Sequence, residues 1–255
     1  QHPGQIRPPR PLLLNRDRFD IVHIHAIGPS LFASSIRVMG PKVVVTNHGP
    51  EYDRQKWGRI AKWVLRISES IGIQTSHQVI AVSRAIRADL KRKYGVDAHY
   101  IPNGVTKAKF VPAGATLNRF NLEPQRYVLG VGRLVPEKGF HDLVAAFDQV
   151  ATDWKLALVG AADHEDRYSR SLKAKARRSD RVRLTGFLKG NALHELYSNA
   201  GLFVLPSYHE GLPIATLEAI SYGLPVLLSD IPANREIAWP NELFPSGDVA
   251  SLMHL

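Results

Sequence analysis

Short apolar bursts spaced along the chain limit its possible folds more than any other feature: DIVHIHAI, KVVVTNH, QVIAVS, RYVLGVG, KLALVG, RVRLTGF, LFVLPS and PVLLSD. Each is closed by turn residues and followed by a helical pattern. Strands that alternate with helices are joined by crossovers and run parallel, so the expected class is α/β with parallel sheets. A bounded apolar run of this length also suits a buried helix segment, and the enrichment in Val and Ile decides for strand. The stretch from Ile101 to Pro124, with three prolines, two glycines and no sustained periodicity, breaks the rhythm and reads as a connection between domains. The expected division is a domain at 1–110, which looks like the latter portion of an α/β domain, and a second at 111–255, nearly whole but lacking its last helix. The sequence stops at SLMHL as a helix begins behind Asp248, a residue type suited to an N-cap. At the other end QHPGQIRPPRPLLLN has no starting Met and no apolar signal core, and reads as a truncated or loop-derived beginning rather than a targeting peptide.

Composition narrows the classes of partner. The chain has 255 residues, 44% of them hydrophobic, which is enough to bury one large core or two modest ones. No apolar run reaches the roughly 18–20 residues that a membrane-spanning helix needs. Cysteine is absent, which rules out disulfides and thiolate-bound zinc and fits a reducing cytoplasm. A net charge of +10 suits nucleic acid, an anionic membrane or a phosphorylated substrate. The chain shows no aromatic RNA-binding signature, no Cys/His finger and no fixed repeat, so no nucleic-acid partner is expected. One helix bears on the choice: Trp57, Ile60, Val64, Ile67 and Ile71 fall on one stripe and Arg59, Lys62 and Arg66 on the opposite side. The expectation is a stripe packed on the core beneath a solvated basic face. The alternative is a basic face that meets anionic lipid headgroups or an acidic acceptor.

The densest chemistry lies in PSYHEGLPIATLEAISYGLPVLLSD, where Glu210 and Glu218 bracket seven residues and Gly211 follows the first directly. A strand precedes and a helix follows. Glu210 therefore sits at the carboxyl end of a strand and Glu218 about two turns into the next helix, where an open parallel sheet binds ligands. Backbone N–H groups at the start of that helix, those of Leu212, Ile214 and Thr216 around Pro213, which has none, lie in a region of partial positive charge that suits a diphosphate. Upstream, VGRLVPEKGF places Arg133 and Lys138 just after a strand; it matches neither the dinucleotide glycine pattern nor a Walker loop. His23 and His25 alternate on one strand without a visible third ligand, and His194-Glu195 lacks the second histidine of a zinc-protease helix, so no metal is expected.

These residues resemble the retaining glycosyltransferases of family 4, the group 1 glycosyltransferases of GT-B fold, whose signature is two glutamates separated by seven residues in an EGxxxxxxEA setting. The resemblance runs from about Tyr127 to Asp248 and more loosely through DIVHIH, VVVTNHG and VIAVS. The segment HGPEYDRQKWGRIAKWVLRISE is similar to a subgroup that includes rhamnosyltransferases of cell-surface polysaccharides. The resemblance implies a GT-B architecture of two Rossmann-like domains, the N-terminal one incomplete and on the acceptor side, the C-terminal one binding a nucleotide sugar. It implies that Arg133 and Lys138 hold the donor's phosphates, that Glu218 bonds the ribose hydroxyls, that Glu210 bonds a hydroxyl of the transferred sugar, and that backbone near Phe187 flanks the base. It also implies that His48 lies beside the reacting sugar, whereas a turn and a helix cap explain Asn103 and Ser83 as well as a family role does.

The implied activity is retaining transfer of a hexosyl unit from a nucleoside diphosphate sugar to a hydroxyl of a carbohydrate or lipid-linked sugar, without metal or other cofactor. The setting would be cytoplasmic, in peripheral contact with the inner face of the cell membrane, in cell-surface polysaccharide or glycolipid synthesis. Two alternatives are a GT-B-type sugar-nucleotide epimerase and a donor-binding fragment without turnover.

Overall fold

The computed structural model describes residues 19–50, 52 and 58–254. The proline-rich beginning and Trp57 of the expected stripe lie outside them. The chain forms two compact units that divide between Ile101 and Pro102.

In the first unit, β1 (Ile21–His25), α1 (Ala33–Val38), β2 (Lys42–Asn47), α2 (Arg59–Thr75), β3 (Gln78–Ala81), α3 (Arg84–Tyr94) and β4 (His99–Tyr100) follow one another. Their strands make a parallel sheet in the order β1-β2-β3-β4. A 3-10 turn, Gly28–Phe32, leads into α1. Ser83 caps α3 by accepting the Ile86 amide at 3.2 Å, and Gly95 ends it in the left-handed region at φ 70°, a conformation costly for any residue with a Cβ.

The second unit contains α4 (Ala115–Phe120), β5 (Tyr127–Val131), α5 (Phe140–Gln149), β6 (Lys155–Val159), α6 (Arg167–Arg177), β7 (Val182–Gly186), α7 (Asn191–Asn199), β8 (Leu202–Leu205), α8 (Ile214–Ser221), β9 (Val226–Ser229), β10 (Leu243–Phe244) and α9 (Val249–His254). Its parallel sheet has the order β10-β9-β8-β5-β6-β7. Apart from Lys155 at the start of β6 the central strands are apolar, as parallel strands covered on both faces are, and Leu129, Leu156, Leu158, Phe203 and Leu205 are completely buried. Asp248 does cap the last helix, accepting the Ser251 amide at 3.0 Å. All eight bursts are strands. The two-residue strands β4 and β10 are the additions.

The packing of α2 differs from expectation. Ile60 is 81% and Val64 41% exposed, Ile67 and Ile71 are half-buried, and the buried residues are Ser68, Glu69, Gly72 and Ile73. Small residues explain the choice of face. A Cβ on Gly72 would collide with Ser30 of the 3-10 turn, so the helix lies closer there than a leucine would allow. Ser30 Oγ donates to the Ser68 carbonyl at 2.7 Å across the contact. Glu69 comes inward because it finds donors, as described below.

The segment expected as a connection carries α4 and is tied into the second unit. Val111 N donates to Ser198 Oγ at 2.9 Å, and the Glu195 carboxylate accepts the amides of Gly114 (2.9 Å), Leu117 (2.9 Å) and Thr116 (3.3 Å). Glu195 thus acts as the N-terminal cap that α4 lacks in its own sequence. Burial by itself raises this carboxyl; the donors at Leu117, Thr116 and Gly114 outweigh it and hold it below the usual value. A depressed carboxyl contributes stability that is present above its unfolded pKa of about 4.3 and is lost as pH falls through the folded value. Glu195→Ala should therefore lower unfolding free energy by about 1–3 kcal/mol at pH 7. In urea titrations at stepped pH the gap to wild type should narrow below about pH 4; a gap that stays constant down to low pH would refute the cap.

Candidate functional site

Chain order in the larger sheet runs outward from β5 in two directions, through β6 to β7 and through β8 to β10. At such a reversal the connections leave on opposite faces, and a crevice opens beyond the carboxyl ends of the two middle strands. Those strands are β5 and β8. The loop after β5 carries Arg133 and Lys138, and the loop after β8 carries Glu210.

Backbone contact sets the distance between the loops. Gly139 has φ 65°, and a Cβ there would run into the carbonyl of Pro206; Gly160, at φ 146°, lies equally close to the carbonyl of Gly132. Tyr208 N donates to the Glu137 carbonyl at 2.9 Å, and Tyr208 Oη to Asp142 Oδ2 at 2.5 Å. Burial, then the bond to Asp142, pushes the Tyr208 phenol up to about 12, so it remains a donor at neutral pH. Ser229 Oγ donates to the Ser207 carbonyl from beneath.

In this frame Lys138 Nζ lies 2.5 Å from Glu210 Oε1, and Ser207 Oγ donates to the same oxygen at 2.6 Å. The two charged side chains are 16% and 11% exposed, so the pair is largely shielded from water. Arg133 is more open, and its Nη1 reaches Asp163 Oδ2 at 2.7 Å.

Gly211 and Leu212 lead into α8, whose N-cap is Pro213 and whose first turn has no side-chain cap. The Thr216 and Leu217 amides both reach the Pro213 carbonyl at 3.2 Å, so the Thr216 amide is engaged within the turn. Thr216 itself is fully buried, and its Oγ1 has no hydrogen-bond partner. Ile214 is half exposed at the start of the helix. Asn103 Nδ2 donates to the Leu212 carbonyl at 3.0 Å and steadies the approach to α8. Glu218 is the fifth residue of α8, about one turn in rather than two, and its Oε2 accepts from Tyr197 Oη at 3.0 Å. Phe187 projects from the loop after β7, 73% exposed.

The structure thus joins Lys138 to Glu210 directly and puts Arg133 on the same loop as Lys138. Glu218 is held from α7, and Phe187 stands on a third loop. Ser207, Asp163 and Tyr197 went unnoticed in the sequence. Ser207 had a signal, three residues before Glu210 within one turn; Asp163 and Tyr197 had none, since only strand order and helix docking bring them near.

His48 belongs to the first unit, just past β2. His25 Nδ1 lies 3.2 Å from His48 Nε2, with the rings 5.5 Å apart and stacked at 29°. His23 turns instead to Thr46 Oγ1 at 2.7 Å. Among the described residues no group of three or more His, Cys, Asp or Glu side chains could hold a metal.

Comparison with known proteins identifies the family and the fold. The family model for glycosyl transferases group 1 matches residues 117–254, more than half of the chain, and that for glycosyltransferase family 4 matches residues 4–109. A putative teichuronic acid biosynthesis glycosyltransferase of Bacillus subtilis is 26% identical over 90% of this chain. The UDP-Gal:alpha-D-GlcNAc-diphosphoundecaprenol alpha-1,3-galactosyltransferase of Escherichia coli is 28% identical over 88%. The chain spans 60% and 61% of the lengths of these relatives. Among solved structures, Anabaena HepE in complex with UDP and glucose superposes with a TM-score of 0.82 at 19% identity, over 95% of this chain and 69% of that one. Sucrose-phosphate synthase from Thermosynechococcus elongatus gives 0.81 at 24%, over 95% and 64%. The fold is the GT-B type, built from Rossmann-like units with parallel sheets.

The shielded ion pair should be measurable on its own. In a cycle of Lys138→Met, Glu210→Gln and the double variant, the pair should show a favourable coupling of roughly 0.5–3 kcal/mol in urea unfolding. Additive losses would mean that the contact carries no energy.

Proposed function

The chain belongs to the glycosyl transferases group 1, and we propose that its second unit binds the donor in a retaining transfer of a hexosyl unit from a nucleoside diphosphate sugar to a hydroxyl. The first unit takes the acceptor side. One observation carries this reading: two cations, Arg133 and Lys138, and an uncapped helix start stand in the loops flanking the sheet's topological switch point, with Glu210 bonded to one of them. A diphosphate gains negative charge as its sugar leaves, so fixed positive groups stabilise the transition state more than the ground state.

Each residue has a definable task. Lys138 has three donors, so it can keep Glu210 and still bond a phosphate oxygen; Arg133 has five, of which Asp163 uses one. Glu210, steadied by Ser207 and Lys138, accepts from a hydroxyl of the transferred sugar. Glu218 has one oxygen on Tyr197, and its remaining lone pairs suit the ribose hydroxyls. The backbone near Phe187 flanks the base. Double displacement would need a carboxylate on the far face of the sugar, and Glu210 is already assigned to a hydroxyl; the departing diphosphate instead takes the acceptor's proton on the same face. A UDP-sugar is the first donor to test, because the Escherichia coli relative is named for UDP-Gal and HepE was solved with UDP-glucose.

The acceptor is a carbohydrate or a lipid-linked sugar, as in the diphosphoundecaprenol substrate that names that relative. No helix among the described residues is long and apolar enough to cross a membrane. Exposed Ile60, Trp63 and Val64 beside Arg59, Lys62 and Arg66 on α2 suit a peripheral approach to anionic lipid on the cytoplasmic face.

In the complete enzyme Arg133→Ala and Lys138→Ala should each lower kcat by about 10²–10³, or about 2.7–4 kcal/mol, as the loss of one preorganised donor does. Steady-state kinetics with UDP-sugars, alongside calorimetric titration with UDP and GDP, checks this. Near-wild-type turnover in either variant would remove that residue from the mechanism, and a changed sugar with no acceptor present would mark an epimerase.

A further inference from the structure

Inside the first unit, α2 buries a glutamate that the reading above does not use. Glu69 is 3% exposed, and an ionised carboxylate is costly to bury unless donors surround it. They do. Its Oε1 accepts from Asn47 Nδ2 at 2.9 Å; its Oε2 accepts from Tyr94 Oη at 2.8 Å and Tyr52 Oη at 3.0 Å. Lys93 Nζ adds a bond to Tyr52 Oη at 3.0 Å, and the Arg66 guanidinium lies over the Tyr52 ring.

The consequence runs outward through Asn47, the last residue of β2 and itself 2% exposed. A carboxylate only accepts, so the side of the Asn47 amide that faces Glu69 must be its NH₂. The Asn47 oxygen is thereby turned the other way, where it accepts the Gly49 amide at 2.8 Å. That bond spans His48. Gly49 has φ 112°, which few residues with a Cβ adopt, so the chain turns sharply there and leaves the His48 ring at the exposed end of the strand, against His25.

We propose that Glu69 is the positioning residue of His48: a buried carboxylate that orients Asn47, closes the Asn47–Gly49 turn and so holds the His48 ring in register with His25. Its bearing on catalysis rests on the reading of His48 as the residue beside the reacting sugar; its bearing on the turn does not. The geometry distinguishes Glu69 from a residue that only fills space. An apolar side chain of similar size leaves the Asn47 amide free to flip, whereas glutamine keeps one acceptor oxygen for Asn47 and can turn its NH₂ toward the tyrosine hydroxyls.

The test uses NMR of the full chain with Glu69→Leu, Glu69→Gln, Asn47→Ala and the control Tyr94→Phe, which removes one donor from the other carboxylate oxygen. In Glu69→Leu and Asn47→Ala, hydrogen exchange at the Gly49 amide should speed up roughly tenfold, and the contact between the His25 and His48 rings should disappear. Glu69→Gln should restore both, and Tyr94→Phe should leave both unchanged. In the complete enzyme the same two disruptive variants should lose about 10² in kcat at little change in donor KM, as a small misplacement of a reacting group does, and should lose nothing further when combined with His48→Ala. If Glu69→Leu does not fold, Glu69→Ala replaces it, since Asn47→Ala removes the Gly49 acceptor directly and tests the turn rather than the carboxylate. Unchanged Gly49 exchange and ring contact in a folded disruptive variant would overturn the proposal. Turnover unaffected by His48→Ala, with those NMR changes still present, would overturn the catalytic reading and leave the positioning role standing.

Discussion

The close approach of two backbone loops, where Gly139 meets the carbonyl of Pro206, is the constraint on which the candidate site depends. A side chain on Gly139 would force the loop after β5 away from the loop after β8. Lys138 is the residue before that glycine, and Glu210 lies four residues beyond Pro206, so widening the gap would part the 2.5 Å ion pair. Shielded as it is, the pair draws more energy from its charges than an exposed one does, and each partner is correspondingly costly to leave alone. Glycine's freedom to take positive φ and the attraction of opposite charges therefore act on the same few atoms.

Among the described residues each unit also buries a glutamate surrounded by donors that come from distant parts of the chain. Glu195 gathers three amides at the start of α4 and ties that segment to α7. Glu69 gathers two tyrosines and an asparagine and ties α2 to the end of β2. In both cases a carboxylate that would be costly alone becomes a fixed point, because it accepts without donating and leaves its partners one orientation. Polar contacts of this kind set the shape of loops that the apolar core leaves undetermined.

Fold class was legible because it depends on local patterning. Eight apolar bursts became strands, since Val- and Ile-rich runs closed by turns suit a parallel sheet covered on both faces. The strands His99–Tyr100 and Leu243–Phe244 carried no signal, as two residues cannot show an alternation. The inward face of α2 was misread for a related reason. Reading a helix by its apolar stripe assumes that burial follows hydrophobicity, yet Gly72 and Ser68 face inward because they are small, and Glu69 because its hydrogen bonds are met. Ile60 was left at the surface in exchange.

What the sequence determined by itself was the class of fold, the places of Arg133, Lys138 and Glu210 in loops that follow particular strands, and that Glu218 lies on the next helix though not how far along it, because propensity and turn chemistry act between near neighbours. Tertiary structure alone decided that β5 lies beside β8, that Lys138 bonds Glu210 while Arg133 turns to Asp163, and that Asn47 answers to Glu69. These are pairings across 72, 30 and 22 residues of chain. Such pairings depend on which backbones can approach and which buried polar atoms find partners, and neither is decided until the strands have taken their order.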